Sequence, residues 1–245
     1  MLAIAAVGLP VSSFFSGRRL ARGKESRSRR YWIIAIRSVM LSALVLFSWM
    51  HATRPLSALG LDVPVSRAGQ FGLIADLAIL GYYVSRLQFA NKSQSELAAT
   101  RDRLRRLGAY EMLPRNKDEF AIFPIAAIAG STFEELLYRG FLIGLLTPRI
   151  GIAGAVFSSS VLFGCGHAYQ GVIGVVRTML IGLAFGVGFA LTHSLWWLMI
   201  AHSVANVSGV MLARRLLMAP DGTSSAPAPA EHRIIPQLNE TPATH

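Results

Sequence analysis

Charge is scarce along most of this 245-residue chain, and what there is sits in patches. Only 15% of the residues are charged and 53% are hydrophobic, against about 25% and 45–50% in an ordinary soluble domain. From Phe120 to Ala213 the Asp, Glu, Lys and Arg residues are Glu134, Glu135, Arg139, Arg149 and Arg177 and no others. So few charges cannot make a water-facing surface, which excludes a soluble globular fold. Cysteine is nearly absent as well. Cys165 is the single one, which excludes an intrachain disulfide and a cysteine-based zinc site. The formal net charge is +11, but the basic clusters Arg18–Arg30 and Arg86–Lys117 hold only Phe89 and Tyr110 as aromatic residues, without the interleaving that stacking on bases requires. Nucleic acid is therefore not an expected partner. Basic runs between apolar segments instead report membrane topology and contact with lipid headgroups.

What remains is an all-α, polytopic transmembrane helical bundle of about six to seven spans. The apolar stretch Met1–Gly17 contains Pro10, lacks an A-x-A-like cleavage site and reads as a marginal first span rather than a signal peptide. Tyr31–Met50 is long enough to cross the bilayer, and Ala68–Phe89 is a further span interrupted by Asp76. Asn91–Asp118 is polar, with Leu97, Leu104 and Leu107 at near-helical spacing, which predicts a helix lying on the membrane surface. Four closely spaced spans follow: Glu119–Leu146, Gly151–Ala168, Val172–Thr192 and Ser194–Leu212, with turns expected at Thr147–Pro148 and Thr192–His193. The tail Ala219–His245 holds five of the eleven prolines and is expected to be disordered. The resulting organisation is N-terminal spans over residues 1–90, a polar cytoplasmic loop over 91–118, a core over 119–212 and a cytoplasmic tail over 213–245. The Lys/Arg bias puts Arg18–Arg30, Arg86–Lys117 and Arg214–Arg215 in the cytoplasm and His51–Arg67 on the opposite side.

Two spans carry stripes of small residues, Gly174, Thr178, Gly182, Gly186, Ala190 and Ala201, Ala205, Gly209, of the kind that lets membrane helices approach closely. Packing is their expected role. The serines Ser158–Ser160 match no nucleophile motif and read as packing hydroxyls, and Cys165 as a small core residue.

The charges inside the apolar core need another explanation. Pointing Glu134, Glu135 and Arg139 at lipid would cost roughly 8–10 kcal/mol at about 2.5–3.5 kcal/mol each. They must face the bundle interior, a watery cavity or one another. Glu135 and Arg139, four apart, suit an ion pair. Glu134 is turned by about 100° from Glu135 and projects elsewhere. The next span supplies His167, and the last supplies His202 and Asn206 on one helical face. A general base or metal ligand, two imidazoles and an amide donor are what activation of water against a carbonyl requires.

Three segments, Glu134-Glu135-Leu-Leu-Tyr-Arg139-Gly140, Phe163-Gly-Cys-Gly-His167 and His202-Ser-Val-Ala-Asn206, resemble the three motifs of the CAAX-protease and bacteriocin-processing family. This family of intramembrane proteases, also called Abi, includes the type II CAAX prenyl endopeptidases. The Ser194-Leu-Trp196-Trp197 approach to the third motif is also similar, although His193 stands where a small residue such as glycine is expected. The resemblance implies that Glu134 and His167 hold and activate the attacking water. It further implies that His202 and Asn206 stabilise the oxyanion and that Glu135 and Arg139 support the site. A zinc ion on Glu134, His167 and His202 is one account of such a site, and metal-free, glutamate-activated water is the other. The expected activity is intramembrane endopeptidase, acting on membrane-embedded or membrane-associated peptides or proteins from within the lipid bilayer, in a bacterial inner membrane. The alternative is a non-catalytic scaffold or a bacteriocin self-immunity protein that binds a partner.

Overall fold

A computed structural model describes Gly8, Val11, Ser12, Phe15, Arg19 and residues 25–63, 65–89, 93–106 and 110–218. The expected first span Met1–Gly17 lies mostly outside these residues, and the tail Ala219–His245 wholly so. Among the described residues the chain is helical throughout, without a strand. In order come α1 (Arg27–His51), α2 (Arg67–Phe89), α3 (Gln94–Arg106), α4 (Lys117–Glu135), α5 (Gly144–Gly166), α6 (Gly171–Thr192) and α7 (Trp196–Met218). Among the described residues, three stretches are long and apolar enough to cross a membrane: Arg27–His51, Lys117–Gly166 and Ala168–Thr192. The second is two antiparallel limbs. This is an integral membrane protein.

Local chemistry sets the ends of these helices. Ser26 caps α1, its hydroxyl accepting from the Arg29 N–H at 3.3 Å. Asn116 caps α4 by accepting from the Glu119 N–H at 2.9 Å, while the Glu119 carboxylate accepts from the Arg115 N–H at 2.7 Å. The two reciprocal bonds satisfy donors that a helix start leaves open. From Leu136 to Ile143 the helix widens to a π turn in which every residue is buried. Such wide turns are frequent at functional sites.

The reversal comes later than the sequence predicts. Pro148 does not end the helix; Thr147 Oγ1 bonds the Ile143 carbonyl at 2.7 Å and Arg149 Nη1 the Leu145 carbonyl at 2.6 Å around it. The chain turns at Gly151, whose φ of 69° is open to glycine at little cost. The return limb packs on the π turn, Ser159 Oγ donating to the Tyr138 carbonyl at 2.6 Å. Ser160 likewise bonds the Val156 carbonyl at 2.7 Å, so both hydroxyls serve packing.

The principal contacts pair α5 with α6, α1 with α4, α4 with α7 and α2 with α7. Gly174, Thr178, Gly182 and Gly186 are all buried, as the stripe on α6 predicts, and a Cβ at Gly182 or Gly186 would meet Phe163 or Val156 at 3.0 and 2.9 Å. The stripe on α7 behaves differently: Ala205 is exposed, and Gly209 faces Leu113 and Phe123 rather than a tightly packed helix. The helices α5 and α6 also approach closely at Gly164, where a Cβ would lie 2.8 Å from the Val175 carbonyl oxygen. Gly164→Ala should therefore lower stability by about 1–3 kcal/mol through overpacking, read as a lower unfolding temperature in detergent; an unchanged midpoint would mean that the two helices separate freely.

His193, out of place in the sequence comparison, ends α6 in the left-handed conformation (φ 47°, ψ 35°), its N–H bonding the Phe189 carbonyl at 2.8 Å. Glycine usually fills that position.

The bundle has two distinct ends. At one, Arg27 bonds the Glu111 carboxylate at 3.0 Å, Tyr31 Oη donates to the Met112 carbonyl at 2.7 Å, and Arg101 donates to the Leu216 carbonyl at 2.8 Å. The last contact seats surface helix α3 against the end of α7, with Leu97 buried beneath it. At the other, the Leu195 N–H bonds the Gly60 carbonyl at 2.9 Å, at the start of α7. Cysteine labelling should accordingly place Arg101 and Ala58 on opposite sides of the membrane, with Arg101 cytoplasmic. Labelling from one side would contradict this arrangement.

Large apolar side chains point outward, among them Met40 and Phe47 of α1 and Val172, Ile173 and Leu191 of α6. Polar chemistry is inside.

Candidate active site

The two neighbouring glutamates at the end of α4 have separate environments. Glu135 is completely buried and its Oε1 accepts from two donors, Arg139 Nη1 at 3.0 Å and His202 Nδ1 at 2.7 Å. The ion pair read from the i,i+4 spacing is present. Arg139 is itself 1% exposed, donates from Nη2 to the Gly182 carbonyl at 3.3 Å, and lies between Phe163 and Phe185, 4.3 and 5.4 Å from their ring centres. A guanidinium between two aromatic faces gains cation–π attraction as well as its ion pair. Glu135, Arg139, the two rings and His202 form a block of mutual contacts joining α4, α5, α6 and α7.

Glu134 is not part of that block. Its side chain keeps 28% exposure, with Oε2 3.6 Å from His202 Nε2. It lines a cavity of about 110 Å³ together with His167, Tyr138, Gly166 and Tyr169, enough for several water molecules. His167, just past the end of α5, donates from Nδ1 to the Phe163 carbonyl at 3.0 Å, because a carbonyl can only accept. In the neutral ring this fixes the tautomer and leaves the Nε2 lone pair available. The short connection Ala168–Gln170 between α5 and α6 also reaches this cavity, which extends toward Met112 at the basic end of the bundle.

His202 touches both glutamates. With Nδ1 held by Glu135, Nε2 is the ring atom turned to Glu134. Edge contacts with Phe163 and Phe185, both at 6.0 Å between centres, hold its plane. Asn206, one turn further along α7, donates from Nδ2 to Ser131 Oγ at 2.9 Å, and Ser131 in turn donates to the Ala127 carbonyl at 2.7 Å. This leaves Asn206 its second N–H.

A zinc ion would require three donors within about 2.0–2.2 Å of one point. Among the described residues no three His, Cys, Asp or Glu side chains come together in that way. Glu134 and His202 Nε2 approach as a pair only, while the engaged Nδ1 atoms of His167 and His202 leave Nε2 as the nitrogen of each ring that could take a ligand. As arranged, the donor set does not fit a three-ligand zinc site.

On its own helix Glu134 has no cation three or four residues away. The structure supplies Arg37 and Arg30 of α1, which line the same cavity. The clue was available, since Arg37 stands inside the apolar run Tyr31–Met50 as conspicuously as Arg139 does in its own. Cys165 is half-buried beside the site and is a free thiol.

Residues 116–208 match the family model described as type II CAAX prenyl endopeptidase Rce1-like. The matched segment starts at the Asn116 cap, runs through most of α7 and contains Glu134, Glu135, Arg139, His167, His202 and Asn206; α1 lies outside it. No curated protein and no solved structure matches the chain.

Proposed function

Since residues 116–208 match the type II CAAX prenyl endopeptidase Rce1-like family model, we propose that the chain is a member of that family and hydrolyses peptide bonds with water activated by Glu134 inside the bilayer. A peptidase of the CAAX-protease type is the activity that this match supports. The residue roles rest on geometry, above all on the contrast between a buried Glu135 committed to Arg139 and His202 and a Glu134 open to a polar cavity.

Water enters along the cavity and sits between Glu134 and the Nε2 lone pair of His167. Glu134 takes its proton as the oxygen attacks the scissile carbonyl. Negative charge then develops on the carbonyl oxygen, where the free Asn206 N–H and His202, acting as an imidazolium whose Nδ1–H is held by Glu135 and whose Nε2–H is left to donate, stabilise it. The carbon–nitrogen bond breaks as Glu134 returns the proton to the leaving amine, giving one new carboxylate and one new amino terminus. Glu135 and Arg139 are positioning residues: they hold His202 so that Nε2 faces the reacting carbonyl. No step uses a metal, and the substrate is a membrane-associated peptide or protein segment. The proposed location is a bacterial inner membrane, with the basic loops inward.

The test is a comparison of peptide termini in membranes carrying the wild-type chain and the Glu134→Ala variant at equal abundance. New termini confined to the wild type are expected. Identical profiles would favour a binding or immunity role.

A further inference from the structure

Polar contacts between α4 and α7 repeat at a spacing of one turn. Glu135 bonds His202; four residues earlier on α4, Ser131 bonds Asn206, four residues later on α7. The two helices run antiparallel here, so the pairs are successive rungs of one ladder. In each rung α4 supplies the acceptor and α7 the donor. The first rung aims His202. Ser131, in the second, stands three residues before Glu134 and belongs to none of the three motif segments.

What Ser131 can do follows from its single hydroxyl proton. Oγ donates to the Ala127 carbonyl at 2.7 Å, one turn back on its own helix, and the residue is completely buried. With that proton committed, Oγ can only accept from Asn206. An amide turned the other way would set its carbonyl oxygen against the hydroxyl lone pairs. The 2.9 Å contact therefore selects one of two amide orientations, with one Nδ2–H on Ser131 and the second N–H left free. Packing does not make this choice. Asn206 is exposed, and the contact with Ser131 is its sole hydrogen bond among the described residues. Three residues further along α7, a Cβ at Gly209 would meet nothing nearer than 3.8 Å. Without the rung the amide would turn over and sample several rotamers.

We infer that Ser131 is a positioning residue: its hydroxyl fixes the amide of Asn206 so that an N–H, and not the carbonyl, faces the developing oxyanion. This rests on the peptidase reading and adds a residue to it. A donor held in place needs no reorganisation during reaction, whereas a freely turning amide presents a repulsive oxygen part of the time.

Two measurements on the full-length protein in detergent test it. The first does not depend on activity. The chain has four asparagines, Asn91, Asn116, Asn206 and Asn239, so labelling asparagine with ¹⁵N gives a simple side-chain amide spectrum, in which Asn206→Ala identifies the Asn206 pair. In the wild type one proton of that pair should lie downfield and exchange slowly. Ser131→Ala should move it upfield and leave the other asparagine signals in place, which controls for folding. The second measurement is hydrolysis of an internally quenched peptide carrying a cut site taken from the comparison of termini. Ser131→Ala should lower kcat by about 10–100-fold, the scale of a misplaced group, with KM near wild type. In an Asn206→Ala background the same substitution should lower kcat no further. Ser131→Thr, which keeps the hydroxyl, should recover part of the loss. If the amide signal behaves in this way but the wild type hydrolyses nothing, the hold of Ser131 on Asn206 stands and the peptidase reading fails. An Asn206 signal that Ser131→Ala leaves unmoved overturns this role even in an active enzyme, as does an unchanged kcat. A kcat loss of equal size with and without Asn206 would make Ser131 a packing residue only, and would also overturn it.

Discussion

Glu134→Gln should reduce peptide hydrolysis by at least about 100-fold, the scale of losing a general base, while membrane insertion and thermal unfolding stay near wild type. The amide keeps the size and hydrogen-bonding capacity of the carboxylate but cannot take a proton from water. Structure should survive because Glu134 is partly exposed to the cavity and its 3.6 Å approach to His202 is longer than a direct hydrogen bond. Cys165→Ser is the matched control and should be nearly silent, as a half-buried free thiol that has no role in the proposed chemistry. Activity assays beside unfolding curves check both halves of the expectation. A fully active Glu134→Gln protein would remove Glu134 as the base.

Glu135→Ala, one residue away, should fail differently. It takes the shared acceptor from Arg139 and His202 at once and leaves a guanidinium of 1% exposure without its carboxylate. Breaking one side of a buried pair costs about 3–5 kcal/mol, a large part of a domain's total stability. The variant should unfold at markedly lower temperature and accumulate poorly. Activity in whatever folds should also be low, because His202 loses the bond that aims Nε2. Replacing Arg139 and Glu135 together by leucine and methionine should restore much of the stability without the activity, since apolar pairs can substitute for buried ion pairs. Wild-type stability in Glu135→Ala would mean that the buried block is not what holds these helices together.

The two glutamates also show how far the sequence could be read. Helical periodicity is enough to separate them by about 100° and to pair Glu135 with Arg139, because these are relations within one turn. The same local logic predicts the α6 stripe and the packing role of Ser159 and Ser160. What periodicity cannot provide is contact between helices distant in sequence. The bond from His202 to Glu135 joins residues 67 apart, and Arg37 reaches the cavity from a helix outside the motif-bearing segment. The turn at Gly151 was missed because proline is the stronger helix breaker on average. Here side-chain bonds to neighbouring carbonyls steady the helix around Pro148, and reversal needed a positive φ instead.

The central claim, hydrolysis by water that Glu134 activates, is tested most directly by isotope incorporation. Purified protein is reconstituted in liposomes, stripped of metal by chelation and supplied with extracted membrane peptides in ¹⁸O-labelled water; new C-termini are then read by mass spectrometry. The account predicts one ¹⁸O in each new carboxylate for the wild type, at an undiminished rate after chelation, and no new termini for Glu134→Gln. The same labelled termini from Glu134→Gln, or activity that vanishes on chelation and returns with zinc, would contradict it.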